Sequence, residues 1–263
     1  MGRIGFVDTH CHIDAPEFEG DREAVIARAR AAGVCAQIVP AVSRAGWAAL
    51  AALTEKHPDL YPAYGLHPCY LAEHREEDLE ALEAWLAEHQ AVAVGECGLD
   101  RHEGGLEGPA QLRFFRSQLR IAAELGLPVI VHARRAVEEV ELLLREYPGL
   151  CGVVHSFSGS LEQAERLWRR GFYTSFGGPL TYANARRVRA LVAACPEELL
   201  LLETDAPDQP PISRRGERNE PAALSEILLE AARLRGTDPE ALAASTTANA
   251  RRLFRLPAPG PLA

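Results

Sequence analysis

Short, continuously apolar runs alternate along this chain with longer stretches in which apolar residues recur every three or four positions. The runs are GFVDTH, AQIVPAV, LYPAYGLH, AVAVGECG, LPVIVHA, CGVVHSF, GFYTSFGG and LLLLETDA, eight in all. Continuous apolarity predicts strands buried on both faces. Between them, DREAVIARARAAG, SRAGWAALAALTEKHP, REEDLEALEAWLAEHQ, GPAQLRFFRSQLRIAAELG, AVEEVELLLREYPG, SLEQAERLWRRG and NARRVRALVAACP carry the spacing of amphipathic helices. Gly126 ends one helix before Pro128 opens a strand, and Gly33 and Gly171 close two others. Past the eighth run, EPAALSEILLEAARLRG and DPEALAASTTANARRLF predict two closing helices.

Eight strand–helix units within 263 residues predict parallel strands closed into a (β/α)8 TIM barrel of the α/β class. No Ser/Gly-rich linker or compositional break divides the chain, so a single domain over residues 1–263 is expected. The tail LPAPGPLA is expected to be an ordered edge or a frayed end with little function.

In such a barrel, function gathers where the strands end. Those ends carry Asp8, His10 and His12, then His67, then Glu96 with Asp100 just after, then His132, His155, and Glu203 with Asp205. Five of the nine histidines are in this set; His57, His74, His89 and His102 fall in helices or loops. One histidine after an apolar strand is a satisfied core residue more often than a ligand. Five of them, clustered with carboxylates, are costly to bury without a compensating charge. Divalent cations supply that charge, and imidazole with carboxylate suits Zn, Mn, Fe or Ni.

Side chains alternate along a strand, so His10 and His12 point to one side and can hold one metal, while Cys11 points to the other. Glu96 has two oxygens with which to bridge two metals, and His132 and His155 are placed to hold the second. Asp205 is expected to bind the first metal and to accept a proton from a bound water. The metals are expected about 3.5–4 Å apart. A water between or beside them is deprotonated near neutral pH, and the hydroxide attacks phosphorus or a carbonyl carbon. Asp205 then serves as general base and passes the proton to the leaving group.

Composition changes this picture little. At 47% hydrophobic and 25% charged the chain is ordinary for a globular protein. No run of 18 apolar residues and no signal-peptide core in MGRIGFVDTH are found, so a cytoplasmic protein without a membrane partner is expected. A net charge of −9 excludes a generic electrostatic nucleic-acid binder. It does not exclude a nucleic-acid substrate, because metal ligands inflate the negative count and bound cations reverse the local field. Six scattered cysteines without a CxxC pair predict reduced thiols.

The motifs together resemble the TatD family of metal-dependent hydrolases, within the amidohydrolase-like barrels. FVDTHCHID, YGLHP, VGECGLD, IVHARRA, GVVHSFSG, GGPLTY and LLETDAP follow in the family's order over essentially the whole chain. LLETDAP, with PDQPP and with Asn219 and Pro221 beyond it, is similar to the YjjV-like branch. The resemblance implies a divalent-metal-dependent phosphodiesterase or deoxyribonuclease of the 3′–5′ exonuclease type. It implies two divalent ions (Zn, Mn or Mg) as cofactors and DNA or an oligonucleotide as substrate, with no obligate protein partner in evidence. By match, His10, His12, Glu96 and Asp205 would hold one ion, and Glu96, His132 and His155 the other. His67 and Arg134 would lie at the substrate phosphate, and Asp100 would organise the residues behind the ligands.

Two positions depart from the family, Ala133 where serine is usual and Cys97 where an apolar residue is common. Rim arginines are few: Arg101, Arg134, Arg135, Arg214, Arg215 and Arg218. RRGERN, residues 214–219, reads equally as a solvated loop or a phosphate clamp. Stacking platforms for single strands reduce to Tyr70, Phe157 and Tyr182. These points keep a second reading in play, a metal-dependent hydrolase of a non-DNA ester or amide, such as an aminoacyl ester on RNA or a small amidohydrolase substrate. The only lysine, Lys56, falls in a helix, which disfavours the lysine-bridged amidohydrolases. A metal-binding scaffold without turnover is disfavoured by the presence of Asp205 with the whole set.

Overall fold

The computed structural model describes residues 5–102 and 108–257. Its elements alternate as expected: β1 (Phe6–Asp8), α1 (Arg22–Ala32), β2 (Val34–Pro40), α2 (Trp47–Lys56), β3 (Leu60–Tyr64), α3 (Glu77–Glu88), β4 (Ala93–Asp100), α4 (Gly108–Leu125), β5 (Val129–Arg134), α5 (Val137–Leu144), β6 (Gly152–Val154), α6 (Leu161–Arg169), β7 (Tyr173–Phe176), α7 (Arg186–Ala194), β8 (Leu200–Leu202), α8 (Leu224–Arg235) and α9 (Pro239–Phe254). All eight strands lie in one sheet in the order β1 to β8, each parallel to the next.

Across the remaining seam, Thr9 N–H donates to Leu202 O at 3.2 Å and Asp205 N–H to His10 O at 2.9 Å. Asp8 braces the same seam. It accepts from Thr204 N–H at 3.0 Å and from the Thr204 hydroxyl at 2.5 Å. The result is a (β/α)8 barrel.

Each strand contributes to an inner apolar cluster: Val7, Ala36, Ile38, Ala63, Ala93, Ile130, Val153, Tyr173 and Leu201. Ala250, Leu253 and Phe254 of α9 join it. This helix lies at the N-terminal ends of the strands, where Thr247 donates to Gly5 O and Asn249 to Leu200 O. The barrel is therefore packed from below and open to chemistry only from above. A larger cluster fills the layer between strands and outer helices, with Phe115, Leu119, Val140, Leu144, Leu167 and Ile227 among its buried members.

The helix stops follow the local chemistry. Gly33, at φ 102°, caps α1 in the left-handed region, its N–H bonding Ala29 O and Arg30 O. Ser160 and Gln163 form a capping box at the start of α6.

The strands end earlier than the apolar runs suggest. β1 stops at Asp8, β6 at Val154 and β8 at Leu202. The polar residues that follow stay extended enough to pair across the barrel, as His12 N–H does with Ala206 O at 2.7 Å, but leave the regular ladder. The six cysteines are free, as expected. Among the described residues no helix is long and apolar enough to cross a membrane. Of the tail LPAPGPLA, Leu256 packs on the inner cluster, and residues 258–263 lie outside the described residues.

Candidate metal centre

The strand-end residues converge on Glu96. This carboxylate, on β4, is 1% exposed, and its two oxygens face different groups. Oε2 lies 3.0 Å from His10 Nε2 and 3.4 Å from His12 Nε2. Oε1 lies 2.8 Å from His155 Nε2, 3.0 Å from His132 Nδ1 and 2.9 Å from His67 Nε2. The loop after β1 thus serves one oxygen, and the ends of β3, β5 and β6 serve the other. Two tight donor groups result, His10–His12–Glu96 and Glu96–His132–His155. Cys11 turns away, fully buried, with Sγ 3.5 Å from Gln37 Oε1.

Close backbone approach makes this possible. Gly98 follows Glu96 on β4 at φ 143°, and a Cβ there would meet His132 O of β5 at 2.0 Å. A side chain at that position would push apart the two strands that carry Glu96 and His132.

Several ring orientations are fixed from behind. His12 Nδ1 is 3.1 Å from Pro40 O, and a proton there leaves Nε2 as a lone-pair donor toward Glu96. His132 Nε2 is 2.9 Å from Asp100 Oδ2, and a proton there leaves Nδ1 facing Glu96. His67 has the opposite arrangement. Its Nδ1 accepts the Cys69 N–H at 3.0 Å, so the proton sits on Nε2 and points into the site. Neutral His67 is therefore a hydrogen-bond donor toward the site.

Asp205 stands further out, with Oδ1 3.6 Å from His10 Nε2 and 3.8 Å from His12 Nε2. Its other oxygen accepts from Gln209 Nε2. Gln209 in turn bonds the Ser156 hydroxyl. Glu203 holds the backbone of the His155 loop by accepting Ser156 N–H at 2.7 Å.

The electrostatics centre on the single carboxylate. Burial opposes ionisation of Glu96, yet His67, His155 and His10 hold it well below the usual carboxylate range. Burial also penalises charged His12, but the contact with Glu96 outweighs it and raises the imidazole to about 9. For His10 and His67 burial wins, and both are lowered. His10 Nε2 and His12 Nε2 are 3.2 Å apart, and His155 Nε2 and His132 Nδ1 are 3.4 Å apart. Nitrogens this close need a proton or a cation between them. The donor set is imidazole and carboxylate, the pairing that divalent transition metals take, so the residues fit such ions.

A cavity of about 920 Å³ opens above the centre, lined by His12, His67, Glu96, His132, His155 and Asp205. Arg134, the last residue of β5, lines it too, and among the described residues its side chain makes no hydrogen bond or ion pair. Two other rim arginines are already paired. Arg101 pairs with Glu139 at 2.8 Å, and Arg218 with Asp21 at 2.8 Å and Glu220 at 3.3 Å. The RRGERN loop is thereby tied through Arg218 to the start of α1. Phe157 is 2% exposed within the core, which leaves Tyr70 and Tyr182 as accessible aromatic faces.

All the strand-end residues singled out in the sequence are thus brought to one centre, except Asp8, which serves the seam, and Glu203, which is buried behind the His155 loop. Gln209, Ser156 and the Cys69 amide, which hold Asp205 and His67 in place, were missed. PDQPP contains Gln209, but nothing in that motif says that its amide reaches Asp205.

The family model described as TatD related DNase matches residues 7–255 of this barrel. The chain belongs to the TatD family. Among TatD relatives, it is 40% identical over 255 residues to the uncharacterized metal-dependent hydrolase YjjV of Escherichia coli K12, covering 96% of this chain and 98% of that protein. It is 37% identical over 258 residues to the 3′-5′ ssDNA/RNA exonuclease TatD of Cronobacter sakazakii, covering 94% and 97%. The crystal structure of the YjjV TatD homolog from Escherichia coli superposes with a TM-score of 0.92 at 39% identity, covering 96% of this chain and 98% of that one.

Proposed function

We propose that this TatD protein is a metal-dependent hydrolase that cleaves phosphodiester bonds of DNA or oligonucleotides, removing nucleotides from the 3′ end. One observation carries the metal dependence: Glu96 presents one oxygen to His10 and His12 and the other to His132 and His155. In this reading His10, His12, Glu96 and Asp205 hold one divalent ion, and Glu96, His132 and His155 hold the second. Bound there, such ions supply a water acidic enough to act as nucleophile and offset the charge on the phosphoryl oxygens.

The protein's own groups do the rest. Asp205 Oδ1, left open when Oδ2 accepts from Gln209, takes the proton of the attacking water as general base. His67 Nε2–H donates to a phosphate oxygen, and the Cys69 amide fixes the tautomer that makes it a donor. Arg134 binds phosphate through its guanidinium fork. The position of Arg134 in the cavity lining and the kinship to a protein named as a 3′-5′ exonuclease support a phosphodiester over a carbonyl substrate.

The test is cleavage of 3′- and 5′-labelled single-stranded DNA with Mg, Mn or Zn and a chelated control. Stepwise release of mononucleotides from the 3′ end, abolished by chelation, is expected. Hydrolysis of p-nitrophenyl acetate without cleavage of bis-p-nitrophenyl phosphate would instead favour an ester or amide substrate.

A further inference from the structure

A second cavity, of about 350 Å³, is bounded by Pro179, Tyr182, Asn184, Ala185, Gln209 and Pro210. Pro179 and Gln209 also line the large cavity, so the two are contiguous at the rim after β7 and β8. Gln209 is the same residue that holds Asp205. The smaller cavity is thus one residue away from the proposed general base.

None of its six lining residues is charged, so it has nothing to pair with a phosphate. It offers instead an aromatic ring, two proline faces and two amides. The Tyr182 ring is held in place, its hydroxyl donating to Pro210 O at 3.1 Å. The exposed Asn184 side chain makes no hydrogen bond among the described residues, so its donor and acceptor are both available. We propose that this pocket receives the nucleobase of the nucleotide being released, with the ring of Tyr182 as the stacking surface and Asn184 on the base edge. The proposal rests on the phosphodiesterase reading and deepens it.

The charge around the mouth favours this placement. On the β1 and β8 side, Asp14, Glu17 and Asp208 line the large cavity, whereas Arg134 lies at the end of β5, three strands from β8 and four from β1. Phosphates are drawn toward Arg134 and repelled from the acidic side. A neutral base can occupy the sector after β7 and β8, where a phosphate cannot. Stacking of this kind tolerates any base, so the pocket confers affinity more than sequence preference.

The test compares two esters with the same leaving group on the Mn-loaded enzyme: thymidine 5′-(p-nitrophenyl) phosphate and methyl p-nitrophenyl phosphate. Tyr182→Ala is expected to raise KM for the thymidine ester about tenfold or more and to leave the methyl ester within about twofold. Asn184→Ala should split the two esters in the same direction, and Tyr182→Phe should retain most of the discrimination. Parallel losses on both esters, or no change on either, would overturn the base pocket while leaving the phosphodiesterase intact. A native enzyme that cleaves neither ester would overturn the phosphodiesterase reading, and the pocket assignment with it.

Discussion

At Asp205 the backbone is constrained along with the side chain. Its φ of 57° lies in the left-handed region, as do those of its rim neighbours Arg135, Ser156 and Gln209. Non-glycine residues hold such angles at a cost of about 1–3 kcal/mol each and collect at functional sites. Asp205→Asn keeps the shape of the side chain but removes the proposed base. The expected result is a fall in kcat of about 10²- to 10⁴-fold with the ion of the Glu96, His132 and His155 site retained, read from steady-state rates beside metal analysis. Asp100→Asn should do the reverse. It weakens the hold on His132, so metal affinity should fall about 10- to 100-fold while the rate recovers at saturating metal. At this scale the sequence was generous with ligand types, because imidazole and carboxylate at strand ends have few other uses. It was silent on the supports. The Cys69 amide acts through backbone, and Gln209 through a turn whose geometry no local pattern encodes.

Among the elements, the eight apolar runs did mark the eight strands, because burial on both faces leaves no other pattern. Their ends were illegible, since a polar tail can stay extended after it leaves the ladder, as His10 and His12 do beyond β1. The role of α9 was hidden as well. Its amphipathic pattern predicts a closing helix but not that Leu253 and Phe254 plug the barrel floor. Charge pairing between elements gives a pH-dependent signature. Glu230 on α8 bonds Arg233 and reaches Arg189 of α7 at 2.6 Å, and these guanidiniums, Arg233 first, hold its carboxyl down at about 2. A depressed carboxyl stabilises the fold fully above the ordinary glutamate range and loses that contribution as pH falls from about 4.5 toward 2. Glu230→Gln should therefore be less stable than the native chain in urea at pH 7, with the gap narrowing at pH 3. A constant gap across that range would assign the cost to packing alone.

At the scale of the whole molecule, the barrel divides its labour along its axis. Apolar residues from all eight strands and α9 close the lower part, and a single carboxylate ringed by five histidines occupies the upper part. The net charge of −9 is unevenly spread at the mouth, where acidic residues flank β1 and β8 and Arg134, without an ion pair among the described residues, ends β5. That asymmetry, and the uncharged pocket beside β7, could not be read from composition, because they depend on which rim arginines are already taken. The proposed hydrolysis depends on Glu96 joining two ion sites. That role is tested most directly by counting Mn ions per chain after stripping the protein and dialysing it against Mn²⁺, for the native chain and for Glu96→Ala. Two ions per native chain and fewer than one in the variant are expected. A native count of one, or a variant that keeps both ions, would contradict it.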